Sequence, residues 1–245
     1  MKMTGLLFVL LLLAISLFAF LKPNEFRRAL FKAQQTKSRN YCAEFKPDKS
    51  SIWGIDISHH QKNVDWVELK YSKPHFIFLK ATEGCSHRDT KYKEYKEKAE
   101  DQSIIVGAYH FFSYCSSGKR QAENFIRFAK LNKGNLPPVL DAEFNWNMPP
   151  KYMVQRELMA FINHVEKKTG EKPIIYCDRD YYYKYLKSEL EGDYPLWICD
   201  YYRQPNCNYT FWQRTDKFRH PAFKGSVDYN TFKGSLQQLN ELTIK

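Results

Sequence analysis

Four carboxylates fall where acid–base chemistry would use them. Asp56 ends the run Ile-Trp-Gly-Ile-Asp, Asp141 and Glu143 end Pro-Val-Leu-Asp-Ala-Glu, and Asp228 ends Gly-Ser-Val-Asp. Each run reads as a short β-strand, and in a barrel of parallel strands the chemistry sits at the strands' carboxyl ends. At i and i+2 on one strand, Asp141 and Glu143 point to the same face. Two carboxylates that close resist ionising together, which raises the proton affinity of the pair. A carboxyl that keeps its proton near neutral pH is what cleavage of a glycosidic bond requires. A single strand-end Asp more often caps a helix or pairs with an Arg. An Asp-x-Glu accompanied by two further strand-end acids favours a site.

Aromatic residues fall at the same strand ends. Tyr109, His110 and Phe111 close the third run, Tyr176 the fifth, Trp197 the sixth and Trp212-Gln213 the seventh. Flat rings with a few hydrogen-bonding groups suit sugars, which are apolar on one face and polar at the rim. Most of the 17 Tyr, 18 Phe and 5 Trp are nonetheless core or surface filler, including the Tyr181-Tyr182-Tyr183 run.

The elements that must position these residues alternate. Strand candidates are Ile52–Ile57, Phe76–Ala81, Ile104–Phe112, Pro138–Ala142, Ile174–Cys177, Leu196–Cys199, Thr210–Gln213 and Gly225–Asp228. Between the early ones lie amphipathic stretches: Lys91–Asp101, Lys119–Leu131 with Ala122, Phe125, Ile126 and Ala129 on one face, and Lys151–Lys168. Alternating strand and helix implies a mainly parallel sheet. The class is α/β, a compact modified (β/α) barrel whose last third, after Leu190, is strand-dominated.

The chain has 245 residues, 43% hydrophobic and 16% aromatic, which excludes disorder, collagen and a disulfide-stapled miniprotein. Its net charge of +11 is uneven. Residues 1–50 carry +6, and the remaining residues carry +5 with charges of both signs interspersed. That moderate balance disfavours a nucleic-acid binder, which needs clustered Lys and Arg on the folded domain.

Met3 to Leu21 holds no charged residue, enough for a helix to cross a bilayer and also the length of a signal-peptide core. The poor small-x-small pattern at its end puts an uncleaved anchor slightly ahead of a cleaved signal. A buried core helix is the third reading. Lys22, Arg27, Arg28, Lys32, Lys37 and Arg39 follow it, which by the positive-inside rule would leave the downstream domain in the cytoplasm. The division expected is 1–21 signal or anchor, 22–50 basic linker and 51–245 catalytic domain.

At the strand ends the sequence resembles the glycoside hydrolase family 25 lysozymes. The matching segments are Gly54-Ile-Asp-Ile-Ser-His-His-Gln61, Lys80-Ala-Thr-Glu-Gly84, Gly107-Ala-Tyr-His-Phe-Phe112, Leu140-Asp-Ala-Glu143, Ile174-Ile-Tyr176, Leu196-Trp-Ile198, Trp212-Gln213 and Val227-Asp-Tyr-Asn230. They occur in the family's order across about residues 52–240. The resemblance implies a flattened (β/α)5β3 barrel that hydrolyses the β-1,4 bond between N-acetylmuramic acid and N-acetylglucosamine of peptidoglycan. It implies Glu143 as general acid and Asp141 as its partner, either orienting the substrate's own 2-acetamido nucleophile in a retaining mechanism or acting as a conventional base. Asp56, Asp228, Tyr109, Tyr176, Trp197 and Gln213 would bind substrate. Small departures, such as Ala142, Cys177, Cys199 and Asp200 where other residues are commoner, leave every carboxylate in place and bear on fine specificity. A catalytically silent wall-binding module on the same scaffold is the alternative, and the four acids weigh against it.

No Cys-x-x-Cys, His-Glu-x-x-His or glycine-rich phosphate loop occurs, so no metal or cofactor is expected. The expected partners are peptidoglycan strands and, through the amino-terminal segment, a membrane. Six cysteines permit up to three disulfides, and Cys199 and Cys207 are close enough in sequence to pair. His59-His60 lies beside Asp56 as a candidate substrate contact, although such a pair is more often structural.

Overall fold

A computed structural model describes residues 50–190 and 194–245, with Lys22 and Glu25. The predicted apolar run Met3–Leu21 and most of the basic linker lie outside the described residues. The sheet belongs to the larger of two compact units, Ala43–Glu143 with Pro150–Lys245. Phe144–Pro149 falls in the other unit; there the Trp146 amide donates to Asn145 Oδ1 at 2.7 Å.

Nine strands form one sheet: β1 (Trp53–Ile57), β2 (Phe76–Glu83), β3 (His87–Arg88), β4 (Ile105–Phe111), β5 (Val139–Asp141), β6 (Ile174–Asp178), β7 (Leu196–Cys199), β8 (Phe211–Arg219) and β9 (Ser226–Phe232). Their order is β1-β9-β8-β7-β6-β5-β4-β2-β3, and β1 also pairs with β2, which closes eight of them into a barrel. From β1 through β2, β4, β5, β6, β7 and β8 each neighbouring pair is parallel. Only β9 runs the other way among the barrel strands, antiparallel to both β8 and β1. This is the modified α/β barrel expected from the pattern of runs, its last third made mostly of strands.

Helices cover the outside: α1 (Trp66–Tyr71), α2 (Tyr92–Asp101), α3 (Gly118–Ala129) and α4 (Lys151–Thr169). Along α4, Val154, Leu158, Phe161, Ile162 and Val165 are buried at helical spacing, and the helix stops where Gly170 takes the left-handed conformation (φ 77°). On α3, Ala122, Phe125 and Ala129 are buried as expected, and the face is extended by two polar residues, Gln121 and Asn124. Gln121 is fully engaged: its amide donates to the carbonyls of Ser113 and Ser116, and its oxygen accepts from the Ser113 amide. Beyond β6, α5 (Arg179–Tyr181) and α6 (Lys187–Leu190) flank a π-helical turn at Tyr182–Leu186. The last helix is α7 (Leu236–Glu241).

The departures from the sequence reading that bear on the site are at β5, β8 and β9. β5 ends at Asp141, so Glu143 lies just past the strand. The ladder reaches Ala142, whose amide bonds the Tyr176 carbonyl at 2.9 Å. β8 and β9 extend well beyond the predicted runs because they form a long hairpin, with Phe218 opposite Val227 and Arg219 opposite Ser226. Polar residues such as Asp216, Lys217 and Arg219 break the apolar run and hide this extension in the sequence. Asp228 is therefore the third residue of β9, not its last. Because β9 is antiparallel, its beginning reaches the rim where the parallel strands end.

Candidate active site

Side chains alternate across a strand, so each strand sends one parity into the barrel. The inward set begins apolar and finishes polar. Phe76 and Phe78 of β2, Val139 of β5, Ile174 of β6, Phe211 of β8 and Phe232 of β9 form one buried cluster that fills the barrel. Counting on in steps of two gives Lys80, Asp141, Tyr176 and Gln213. In β9, counting back toward the rim gives Asn230 and Asp228. In β1 the same parity carries Gly54 and Asp56, and Asp56 lies directly opposite Asp228 in register.

Asp56 is held by a chain of donors from across the barrel. Its Oδ2 accepts from Asn230 Nδ2 at 2.8 Å and from Gln213 Nε2 at 3.0 Å. Trp197 Nε1 in turn donates to Asn230 Oδ1 at 2.8 Å, and the hydroxyls of Tyr176 and Tyr201 donate to Gln213 Oε1 at 2.8 and 3.2 Å. These outer contacts fix which end of each amide faces the carboxylate. Burial nevertheless pushes Asp56 up to about 6, against the lowering effect of the two amide bonds.

Asp141 is 7% exposed, and its Oδ1 is buried with no hydrogen-bond partner among the described residues. An orphaned carboxylate oxygen is costly and marks a place where a donor is missing. Burial, then the charge of Glu143, hold Asp141 well above the usual carboxylate range; Lys80 acts in the opposite sense, and Asp56 and Glu83 add to the rise. Lys80 Nζ is itself paired to Glu83 at 2.7 Å and lies 4.7 Å over the Phe111 ring. Glu143 is half-buried, and its carbonyl accepts from the Tyr114 hydroxyl at 2.9 Å, which is also hydrogen-bonded to the Tyr181 hydroxyl. Tyr109 is half-buried, and burial, followed by the charges of Asp56, Asp141 and Asp228, keeps its phenol protonated.

The predicted residues thus converge, with one revision of role. Trp197 is only 2% exposed, stacked on Phe78 at 4.2 Å and edge-on to Tyr176 at 4.5 Å. Gln213 is 3% exposed, and Tyr176 is also buried. Gln213 bonds Asp56 directly, and Tyr176 and Trp197 bond the amides of Gln213 and Asn230 that hold it, so these three buried side chains position the carboxylate. Asn230 and Lys80 belong to the same constellation and were not singled out as site residues from the sequence. The parity of strands β9 and β2 is the signal that finds them.

One other expectation is corrected. Cys199 and Cys207 are free thiols rather than a disulfide, as are Cys85, Cys115 and Cys177. Cys199 faces into the barrel beside the Tyr176 and Tyr201 hydroxyls. His59 is tied to buried Asp89, with Nδ1 to Oδ2 at 2.6 Å, in a 3-10 turn capped by Ser58. Among the described residues no group of His, Cys, Asp and Glu is arranged to hold a metal, and no helix is long and apolar enough to cross a membrane.

A parallel barrel with carboxylates gathered at its rim is the layout of a glycoside hydrolase, and the comparisons agree. The model of the glycosyl hydrolases family 25 matches residues 55–223, and the chain belongs to that family. An uncharacterized protein of Escherichia coli is 32% identical over 202 residues, covering 79% of this chain and 74% of that one. Lysozyme M1 of Streptomyces globisporus is 30% identical, covering 78% and 71%. A solved family 25 glycosyl hydrolase from Bacillus anthracis superposes with a TM-score of 0.75 at 34% identity, over 82% of this chain and 97% of that one.

Proposed function

We propose that the barrel is a lysozyme that hydrolyses the β-1,4 bond between N-acetylmuramic acid and N-acetylglucosamine of peptidoglycan. The observation that carries this reading is Asp141, a buried carboxylate beside Glu143 with one oxygen left without a donor. An acetamido N–H of a bound sugar is a donor of the right kind. In this reading Glu143, half-exposed at the end of β5, protonates the leaving oxygen. Asp141 accepts the acetamido N–H, a bond that favours its ionised form over the protonated one, orients that group toward the anomeric carbon and stabilises the positive charge that develops there. The substrate-assisted route frees the enzyme from the carboxyl spacing that separates ordinary retaining and inverting enzymes. Asp56 and Asp228 add negative potential under the sugar, and Tyr109 offers a neutral hydroxyl among them. The name of the Streptomyces relative supports the reaction class.

Peptidoglycan lies outside the cytoplasmic membrane, so the reading places the domain there. The uncharged run Met3–Leu21 supports passage to or across that membrane, as an anchor or a cleaved signal. The basic residues that follow it run against the positive-inside rule, and a fractionation experiment given below tests the assignment.

The test of the reaction is Glu143→Gln. It is expected to abolish release of reducing ends from purified peptidoglycan while the protein still sediments with the insoluble polymer. Full activity in this variant would remove Glu143 from the mechanism. Asp141→Asn is expected to lower kcat by about a hundredfold or more, in the range of losing one preorganised electrostatic group. An unchanged kcat would take Asp141 out of the site.

A further inference from the structure

At the rim, next to the acid floor, lies a hollow of opposite character. It has a volume of about 210 Å³ and is walled on one side by His60, Lys62 and Asn63 and on the other by Lys224, Gly225 and Ser226. None of its lining residues is Asp or Glu. Its position follows from the register. Asp56 and Asp228 are paired on β1 and β9, the turn after β1 supplies His60 and Lys62, and the entry to β9 supplies Gly225 and Ser226. The hollow therefore adjoins the Asp56–Asp228 pair.

Neither Lys62 nor Lys224 is ion-paired with an Asp or Glu among the described residues. Lys62 is also held in an unusual conformation, φ 55° and ψ −94°, rare for a residue with a Cβ. The surroundings maintain it: its amide donates to the His59 carbonyl at 3.0 Å, and its own carbonyl accepts from the Tyr95 hydroxyl. A conformation of this cost persists where the structure over-determines it, and such positions concentrate at ligand sites. Burial, with His59 and Lys80 close by, lowers the proton affinity of His60, so the two lysines supply the hollow's charge. At Gly225 a side chain would meet nothing within 4 Å, so the hollow is open there.

We propose that this hollow is a subsite for a carboxylate carried by the substrate, one on the peptide attached to the muramoyl lactyl group or, where the peptide is absent, the lactyl carboxylate itself. The proposal rests on the muramidase reading given above. Of the two sugars in that polymer only the muramoyl residue carries an acidic substituent. A floor of carboxylates repels that substituent, whereas a cationic rim beside it accepts it and fixes which sugar occupies the site. The pair of lysines thus acts in choosing and orienting the strand, while the acids below act on the bond.

The experiment compares wild type, Lys62→Gln/Lys224→Gln and Gly225→Phe on three polymers. These are peptide-bearing peptidoglycan, amidase-stripped glycan that keeps the lactyl carboxylate, and uncharged chitin. KM is measured where cleavage occurs, and co-sedimentation with the insoluble polymers is measured throughout. The expected result is a rise in KM of about tenfold for both variants on peptide-bearing peptidoglycan, with kcat within about twofold of wild type. A loss confined to the peptide-bearing polymer assigns the hollow to a peptide carboxylate, a loss confined to stripped glycan assigns it to the lactyl carboxylate, which is free only there, and an equal loss on both shows that it takes either. Wild-type KM and sedimentation in both variants on every polymer would overturn the proposal, as would an equal weakening on chitin. A wild-type protein that sediments with peptidoglycan and cleaves none of it would sink the reaction instead, and the sedimentation comparison would still decide the hollow.

Discussion

Asp56 shows how a single residue is placed to work at a cost to stability. Its carboxylate meets two amides, yet burial still holds it near 6 against a starting value of 3.8. A carboxyl whose affinity for a proton is raised by folding stabilises the fold in its protonated form. That contribution is complete below the unfolded value and is lost as pH rises through about 6. Asp56→Asn cannot ionise and keeps an oxygen for the Gln213 and Asn230 donors. It is expected to be more stable than wild type at pH 8 by up to about 3 kcal/mol and to lose that advantage at pH 4. Denaturant melts at the two pH values check this, and an advantage independent of pH would contradict it. Asp141 carries a related prediction. Glu143 is the largest charge raising its proton affinity, so Glu143→Gln should lower the Asp141 titration midpoint, as read by carboxyl NMR. An unmoved midpoint would mean that burial and the remaining charges set it without Glu143.

At the scale of elements, much of the site was legible because strands obey a period of two. The apolar-then-acid runs ending at Asp56 and Asp141 marked the rim correctly, and Tyr109 falls among the acids as its strand position implied. Other features needed partners remote in sequence. Asn230 reaches Asp56 across 174 positions of chain, and nothing in its neighbours' composition signals that bond. Trp197 is marked by an aromatic ring at a strand end and by the family resemblance, but its depth in the barrel is set by Phe78 and Asn230. The long β8–β9 hairpin was concealed by its own charged residues, and the reversed direction of β9 is what delivers Asp228 to the rim. Gly54 offers a test at this scale. A Cβ there would lie 2.4 Å from the Phe76 ring and 2.5 Å from its carbonyl oxygen, on the strand and face that carry Asp56. Gly54→Ala should cost about 1–3 kcal/mol, typical of overpacking, and reduce activity by shifting β1 against β2. Wild-type stability and activity would show that the β1–β2 contact is not tight.

For the molecule as a whole, charge is distributed by task. The barrel gathers carboxylates at its mouth and sets a cationic hollow beside them, while more than half of the net +11 lies in the first 50 residues. The closed sheet has its own apolar filling and carries the proposed site residues on its strands, with Glu143 just past the end of β5. A chain beginning at Ser50 is therefore expected to keep wild-type kcat on soluble glycan fragments, and, if the amino-terminal segment places the domain, to leave the membrane fraction expected for the full chain. Recovery of both proteins from the same fraction would remove the amino-terminal segment's role in placement. The central claim concerns which bond the barrel cuts, and mass spectrometry of the products from a defined peptidoglycan digest tests it most directly. Disaccharide products that each end in a reducing N-acetylmuramic acid are predicted. Products ending in reducing N-acetylglucosamine, or an intact polymer, would contradict it.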